Sequence, residues 1–256
     1  MAKHTDRYDD KNLITLAKSK YDDQQRSTLP SEIVYLPSGG KIYPKDSVLR
    51  DGKIEMRYMT AYDEDILTNP SYMKDGVILN KLLEALIVTD INVGDISESD
   101  KESLIISARI LGYGAEYPVK IQDPKTKKNL DRVVDLRNLK YKPFELETND
   151  NGEMKYKTEA GTTIYFSFIS SKESEDTNVN KVSDILKKVI KQVDDTRDSE
   201  AIEEFIKFKF LAKDAKQFRE YVANNSPGLD LNYEFEGEDG SAFSTMFPLG
   251  ADLFWF

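Results

Sequence analysis

Apolar positions along this chain change their period several times, and each change predicts an element. Residues 1–29 are polar and charged, with only Leu13, Ile14, Leu16 and Ala17 able to form a short amphipathic turn. This pattern predicts a mobile N-terminal arm ending at Pro30. Ile33-Val34-Tyr35-Leu36 and the alternating Ile54–Met59 read as strands, with turn signals between them at Ser38-Gly39-Gly40 and Asp51-Gly52. From residue 60 to 112 the period becomes helical. Thr60 and Asp63 have capping-box spacing, a turn is predicted at Asn69-Pro70, and Val77–Val88 is apolar enough to predict a buried helix. Ser99 and Glu102 predict the start of the next helix, which Gly112-Tyr113-Gly114 stops.

Beyond this point the alternation returns. Val119 and Ile121 on one arm, and Val133 or Val134 with Leu136 on the other, predict a β-hairpin over 116–136. Strands follow over 141–169, with an Asn149–Gly152 turn able to close a hairpin and an aromatic run at Ile164–Ile169. Residues 170–179 read as a polar linker. Val182, Ile185, Leu186, Val189, Ile190 and Val193 recur at helical spacing. Further helices are predicted at Ser199–Phe210 and from Asp214, where Gln217 completes a capping box. A final hairpin is predicted over Leu231–Leu249. It follows the plan of the first, strand, polar turn, strand and a terminal leucine, as a weak internal repeat. The fold class is α+β: an arm over 1–29 and one domain over 30–256, divisible at the linker into 30–170 and 180–256.

Composition changes this picture mainly by exclusion. The sequence has 14 tyrosines and 12 phenylalanines among 39% hydrophobic residues, enough for a sizeable core in its 256 residues. Its net charge of −10, with both signs mixed, argues against nucleic acid as a partner and for protein partners. Without cysteine there are no disulfides, thiolate metal sites or cysteine nucleophiles. The one histidine, His4, lies in the arm, which removes most metal sites and Ser-His-Asp arrangements from the domain. No run approaches the roughly 18 apolar residues of a membrane span, and no secretory signal is visible.

Candidate chemistry is sparse. Asp63-Glu64-Asp65 offers three carboxylates, but neighbouring helix positions diverge by about 100°. The triplet reads instead as a helix start favoured by the macrodipole. Gly39-Gly40-Lys41 resembles the end of a phosphate-binding loop, yet Tyr35 stands where that loop needs glycine and Ile42 where it needs Ser or Thr. A tight turn is the better reading. With 46 acidic residues, no carboxylate pair is singled out by spacing for glycoside hydrolysis. The aromatics Phe254, Trp255 and Phe256 suit either an anchor in a partner's pocket or packing on the chain's own sheet, with self-packing favoured for Phe254. Core packing is likewise favoured for Tyr113.

Several segments, taken in order, carry a resemblance: Leu36–Pro44, Met59–Leu67, Leu82–Val88, Ala108–Gly114, Asn225–Asp230 and the Phe254-Trp255 ending. Together they resemble a baseplate hub protein family of T-even-type contractile-tailed bacteriophages. Many members carry a Cys-Pro-x-Cys turn in each of two hairpins, a set suited to a structural zinc. Here the turns read Asp123-Pro124-Lys125-Thr126 and Gly237-Glu238-Asp239-Gly240, so this chain is expected to fold with two zinc-ribbon-like hairpins that have lost their cysteines, and without a cofactor. Asp123, Glu238 and Asp239 are acidic enough for a hard cation, though solvated turns are the simpler reading. The resemblance implies a non-enzymatic protein docking onto other baseplate hub and tail proteins, as virion subunit or assembly factor, in the tail baseplate or the infected host cytoplasm. The alternative is a hub-associated cell-wall hydrolase. The residues proposed for partner contact are Ser38, Gly39, Gly40, Lys41, Tyr43, Tyr113, Phe254, Trp255 and Phe256.

Overall fold

The structure is a computed structural model that describes residues 28–75, 77–175, 181–246 and 251–254. The expected arm, apart from its last two residues, the end of the expected linker, and Trp255 and Phe256 lie outside the described residues. The fold is α+β, with helices set among small antiparallel sheets.

Strand β1 (Ser31–Tyr35) pairs with β2 (Lys53–Arg57), placing Val34 opposite Ile54 and Glu32 opposite Met56. Ile54 and Met56 point into the core, as the alternation requires. Helix α1 (Ala61–Leu67) starts with the expected Thr60/Asp63 capping box. Helix α2 (Pro70–Asp75) occupies the segment where only a turn was expected. The Asn69 side chain accepts from Ser71 N at 3.0 Å, and Pro70 sits at the first helical position, where its missing N–H leaves no helical bond unmade. Helix α3 (Ile78–Leu86) is shorter than the apolar run. It buries Leu82, Leu83 and Leu86 rather than its whole circumference. The β-branched Ile87-Val88 extend along β2 instead, Ile87 bridging Met56 and Val88 N donating to Glu55 O at 2.9 Å.

Helix α4 (Glu98–Tyr113) begins before the predicted Ser99 start. Its N-cap is Ser97, whose hydroxyl accepts from Asp100 N. The first hairpin is β3 (Glu116–Gln122) with β4 (Asn129–Asp135), Tyr117 facing Val134 and Ile121 facing Leu130. A short β5 (Lys140–Tyr141) follows.

Strands β6 (Met154–Lys157), β7 (Thr163–Phe166) and β8 (Ile190–Val193) form the one three-stranded sheet among the described residues. The Asn149–Gly152 turn closes only a single bridge, Thr148 to Met154. The hairpin itself turns through Thr158–Thr162, where Thr158 N donates to Thr162 O at 2.9 Å. Part of the expected linker is helix α5 (Ser171–Glu175), and Ser171 is fully buried. Helix α6 (Val182–Val189) stops four residues short of the helical pattern. Ile190 and Val193 lie in β8, where β-branched side chains pair with β7. Here the tertiary partner overrides the local period.

Helix α7 (Ser199–Phe208) is capped by Asp198, and α8 (Ala212–Asn224) begins two residues before the predicted Asp214. The Gln217 amide reaches Glu159 at 2.9 Å rather than closing a capping box. Strand β9 (Leu229–Asp230) pairs with β5, and β10 (Asn232–Glu236) with β11 (Ala242–Met246) forms the last hairpin.

Buried side chains from Leu36 to Phe254 belong to one hydrophobic cluster. Its aromatic centre joins β6, β7, α7 and α8. The Phe166 and Phe218 rings meet edge-on at 5.4 Å, and Tyr156 lies 5.3 Å from Phe218. Among the described residues no helix is long and apolar enough to cross a membrane.

Candidate functional site

The motif turn Leu36–Pro44 is built from overlapping backbone bonds. Gly39 N donates to Leu36 O (2.8 Å), Lys41 N to Ser38 O (3.2 Å) and Tyr43 N to Gly40 O (3.1 Å). Gly40 has φ 78°, and a Cβ there would lie 2.4 Å from the Arg50 carbonyl oxygen, so no side chain fits. Arg50 Nη1 closes the far side, donating to the carbonyls of Lys41 (2.6 Å) and Tyr43 (2.8 Å).

The turn is fastened to the start of α4 by Asp100, a fully buried carboxylate. Asp100 accepts from Ser38 N (3.0 Å), Ser38 Oγ (2.6 Å) and the Tyr43 hydroxyl (2.6 Å), and Ser97 N donates to the same Tyr43 oxygen (3.1 Å). Burial is the largest influence on both acids. It raises the Asp100 pKa despite the hydrogen bonds from Ser38 and Tyr43, and raises that of Tyr43 well above the ordinary value, reinforced by the nearby Asp100 charge. The predicted contact residues are therefore divided. Ser38, Gly40 and Tyr43 are buried and face inward, while Gly39 and Lys41 form the exposed tip.

Tyr113 and Phe254 lie together at the other end of α4. Their rings meet edge-on at 6.4 Å, Phe254 is only 4% exposed, and the Tyr113 hydroxyl donates to Glu64 at 3.0 Å. Burial and then the Glu64 contact push the Tyr113 pKa up to about 12. Beside them Arg109 is buried on α4. Its Nε donates to Leu253 O (2.9 Å) and its Nη1 to Gly114 O (2.8 Å), with the guanidinium over the Tyr113 and Tyr117 rings. Sequence reasoning missed Arg109 and Asp100. The available signal was a charge beside apolar helix positions: Arg109 among Ala108, Ile110 and Leu111, and Asp100 four residues before Leu104.

The two hairpin tips meet. Asp123 Oδ1 accepts from Lys125 N (2.8 Å) and Thr126 N (3.1 Å) in its own turn, and Oδ2 accepts from Glu238 N (3.1 Å) in the other. Those backbone donors, the Glu238 amide foremost, hold the Asp123 carboxyl below the ordinary carboxylate value. Lys125 Nζ reaches Asp239 Oδ2 (3.0 Å) and Ser241 Oγ (2.8 Å), and Lys128 Nζ reaches Glu238 Oε1 (2.8 Å). Arg132 donates to Glu236 O at 2.6 Å. The acidic residues weighed as cation ligands thus take hydrogen bonds from amides, a hydroxyl and lysines. Among the described residues no group of three His, Cys, Asp or Glu side chains could hold one metal ion. The acidic triplet is likewise divided: Asp63 is buried against Arg57 at 2.7 Å, while Glu64 and Asp65 are exposed.

Polar side chains that fasten turns to helices and hairpins to each other define a structural site. The family model described as T4 bacteriophage base plate protein matches residues 30–242. The chain belongs to this family. It is a phage structural protein of the virion tail baseplate, and its partners are other tail and baseplate proteins. No curated protein matches the chain, and no solved structure matches it.

Proposed function

We propose that this baseplate protein acts in hub assembly by docking onto other hub proteins, without catalysing a reaction, and that the Leu36–Pro44 turn is part of its docking surface. The observation that carries the reading is the construction of that turn. Its tip, Gly39 and Lys41, is exposed, while Ser38 and Tyr43 tie its base to the buried Asp100. A surface held in this way loses little conformational entropy on binding. The chain neighbours Tyr35 (64% exposed) and Val48 (51% exposed) supply apolar contact area beside it. Residues 30–256 act as one docking domain in this reading. Trp255 and Phe256 belong to the contact set on sequence grounds.

The test is co-purification of hub proteins from infected cells with tagged wild type and with Lys41→Glu. Lys41 is exposed, so the variant keeps the melting temperature of the wild type, and the expected result is loss of hub proteins from the purified complex. Undiminished co-purification overturns the role of the turn. Quantitative mass spectrometry of virions beside lysate separates the two forms of the proposal. A fixed small copy number in virions marks a subunit; presence in lysate alone marks an assembly factor.

A further inference from the structure

The last hairpin is attached to the body in two chemically different ways. At its base the attachment is backbone pairing and burial. Lys142 N donates to Gly228 O (2.9 Å), β9 pairs with β5, and beyond β11 the Leu253 carbonyl is held by the buried Arg109. At its tip, two ion pairs open to water flank the buried Asp123 carboxylate, which accepts from Glu238 N. Lys125 with Asp239 and Lys128 with Glu238 are both pairs of roughly half-exposed side chains, at 3.0 and 2.8 Å. Between base and tip, one face of the hairpin carries Tyr233, Phe235 and Phe243, of which Phe235 is buried, and the other carries Asn232, Glu234 and Glu236.

We propose that the β10–β11 hairpin is an electrostatically latched arm, hinged at β9 and at Leu253, whose tip is released from the first hairpin by ionic strength. The latch comprises Lys125, Lys128 and Arg132 on the first hairpin, and Glu238, Asp239 and the Glu236 carbonyl on the second, around the Asp123–Glu238 backbone bond. Exposed ion pairs are individually weak and are screened over a Debye length of about 8 Å at physiological salt. The buried Phe235 keeps the docked state favoured, and the ion pairs set the margin by which it is favoured. Backbone pairing and the buried Arg109 are far less sensitive to salt, so the base stays closed when the tip opens. This inference is independent of where the protein docks in the baseplate.

Hydrogen exchange of the full chain in low and high sodium chloride tests it. Amides of residues 232–246 should exchange faster in high salt by about tenfold, the sum of several weak pairs, while those of α4 and β2 stay unchanged. A hairpin whose exchange is independent of salt, or a chain whose amides all respond equally, overturns the proposal. Lys128→Glu should give the fast hairpin exchange already at low salt, and adding Glu238→Lys should restore protection. Failure of the paired exchange to restore it assigns the salt effect to something other than this latch and also overturns the proposal.

Discussion

Two aspartates do the same mechanical work in this molecule and respond oppositely to their surroundings. Asp100 fastens the motif turn to α4, and Asp123 fastens one hairpin tip to the other. Each accepts three hydrogen bonds from donors on this chain. At Asp100 burial outweighs the donors and the pKa rises; at Asp123 the backbone amides win and the pKa falls. The difference lies in what surrounds the carboxylate. Both side chains are buried, Asp123 at 1% exposed. Asp100, at the start of α4, takes two of its three bonds from hydroxyls, whereas all three donors to Asp123 are backbone amides of two turns flanked by exposed lysines. The number of hydrogen bonds alone does not predict how a carboxylate behaves; the kind of donor, and how far the donors offset burial, decide.

The sharpest way to break the comparison is to remove the inner aspartate. Asp100→Ala leaves Ser38 N and Ser38 Oγ buried without their acceptor and the Tyr43 hydroxyl with only the longer bond to Ser97 Oγ (3.3 Å), and should cost about 3 kcal/mol or more in denaturant unfolding. A loss below about 1 kcal/mol would mean that the turn is held by Arg50 and its own backbone bonds instead.

A matched pair of glycines gives the next largest contrast. Gly40 in the motif turn and Gly240 at the hairpin tip have nearly the same φ, 78° and 77°. A Cβ on Gly40 meets backbone at 2.4 Å, while on Gly240 the nearest atom is the Glu236 Oε1 at 3.7 Å. Gly240→Ala should therefore cost only the left-handed backbone term, about 1 kcal/mol, and Gly40→Ala about twice that or more by thermal or chemical denaturation. Equal costs would show that the motif turn relaxes around the added methyl.

The smallest effect is the pH response. The folded-state pKa of Asp123 is depressed, so its contribution is present above the usual carboxylate range and is lost as pH falls through the folded value. Asp100 is raised, so the cost of its buried charge is present at neutral pH and is relieved as pH falls through its folded value. On acidification the Ser38 amide should respond before the Glu238 amide does, because the raised Asp100 takes its proton at the higher pH. The reverse order, followed by NMR or mass spectrometry, would contradict the assignment of cause at one of the two sites.

Much of the fold was legible because local chemistry and tertiary structure agree. The Thr60/Asp63 cap, the Gly114 stop and the alternating Val119 and Ile121 each indicate an element that the structure contains. The misreadings share a cause. Ile190 and Val193 continue a helical spacing, but β7 offers them an edge, and pairing wins over a pattern that local sequence leaves balanced. Pro70 reads equally as a turn or as the first residue of a helix, and only the Asn69 cap decides. At the site, Ser38 and Tyr43 were legible as residues that matter, yet their direction was not. A hydroxyl looks the same in sequence whether it meets a partner protein or an aspartate 62 residues further along the chain.

The contact between Arg109 and Leu253 joins positions 144 residues apart. Chains grow from the N-terminus and begin folding as they emerge. Helix α4 is therefore synthesised long before the carbonyl that satisfies its buried guanidinium exists. Until then Arg109 must keep water or a temporary acceptor, and the surface that will receive Phe254 stays open. Closure of this seam thus waits until the growing chain has delivered Leu253. A chain stalled shortly before Leu253 would carry helix α4 and both hairpins and still expose the seam on which Leu253 and Phe254 close.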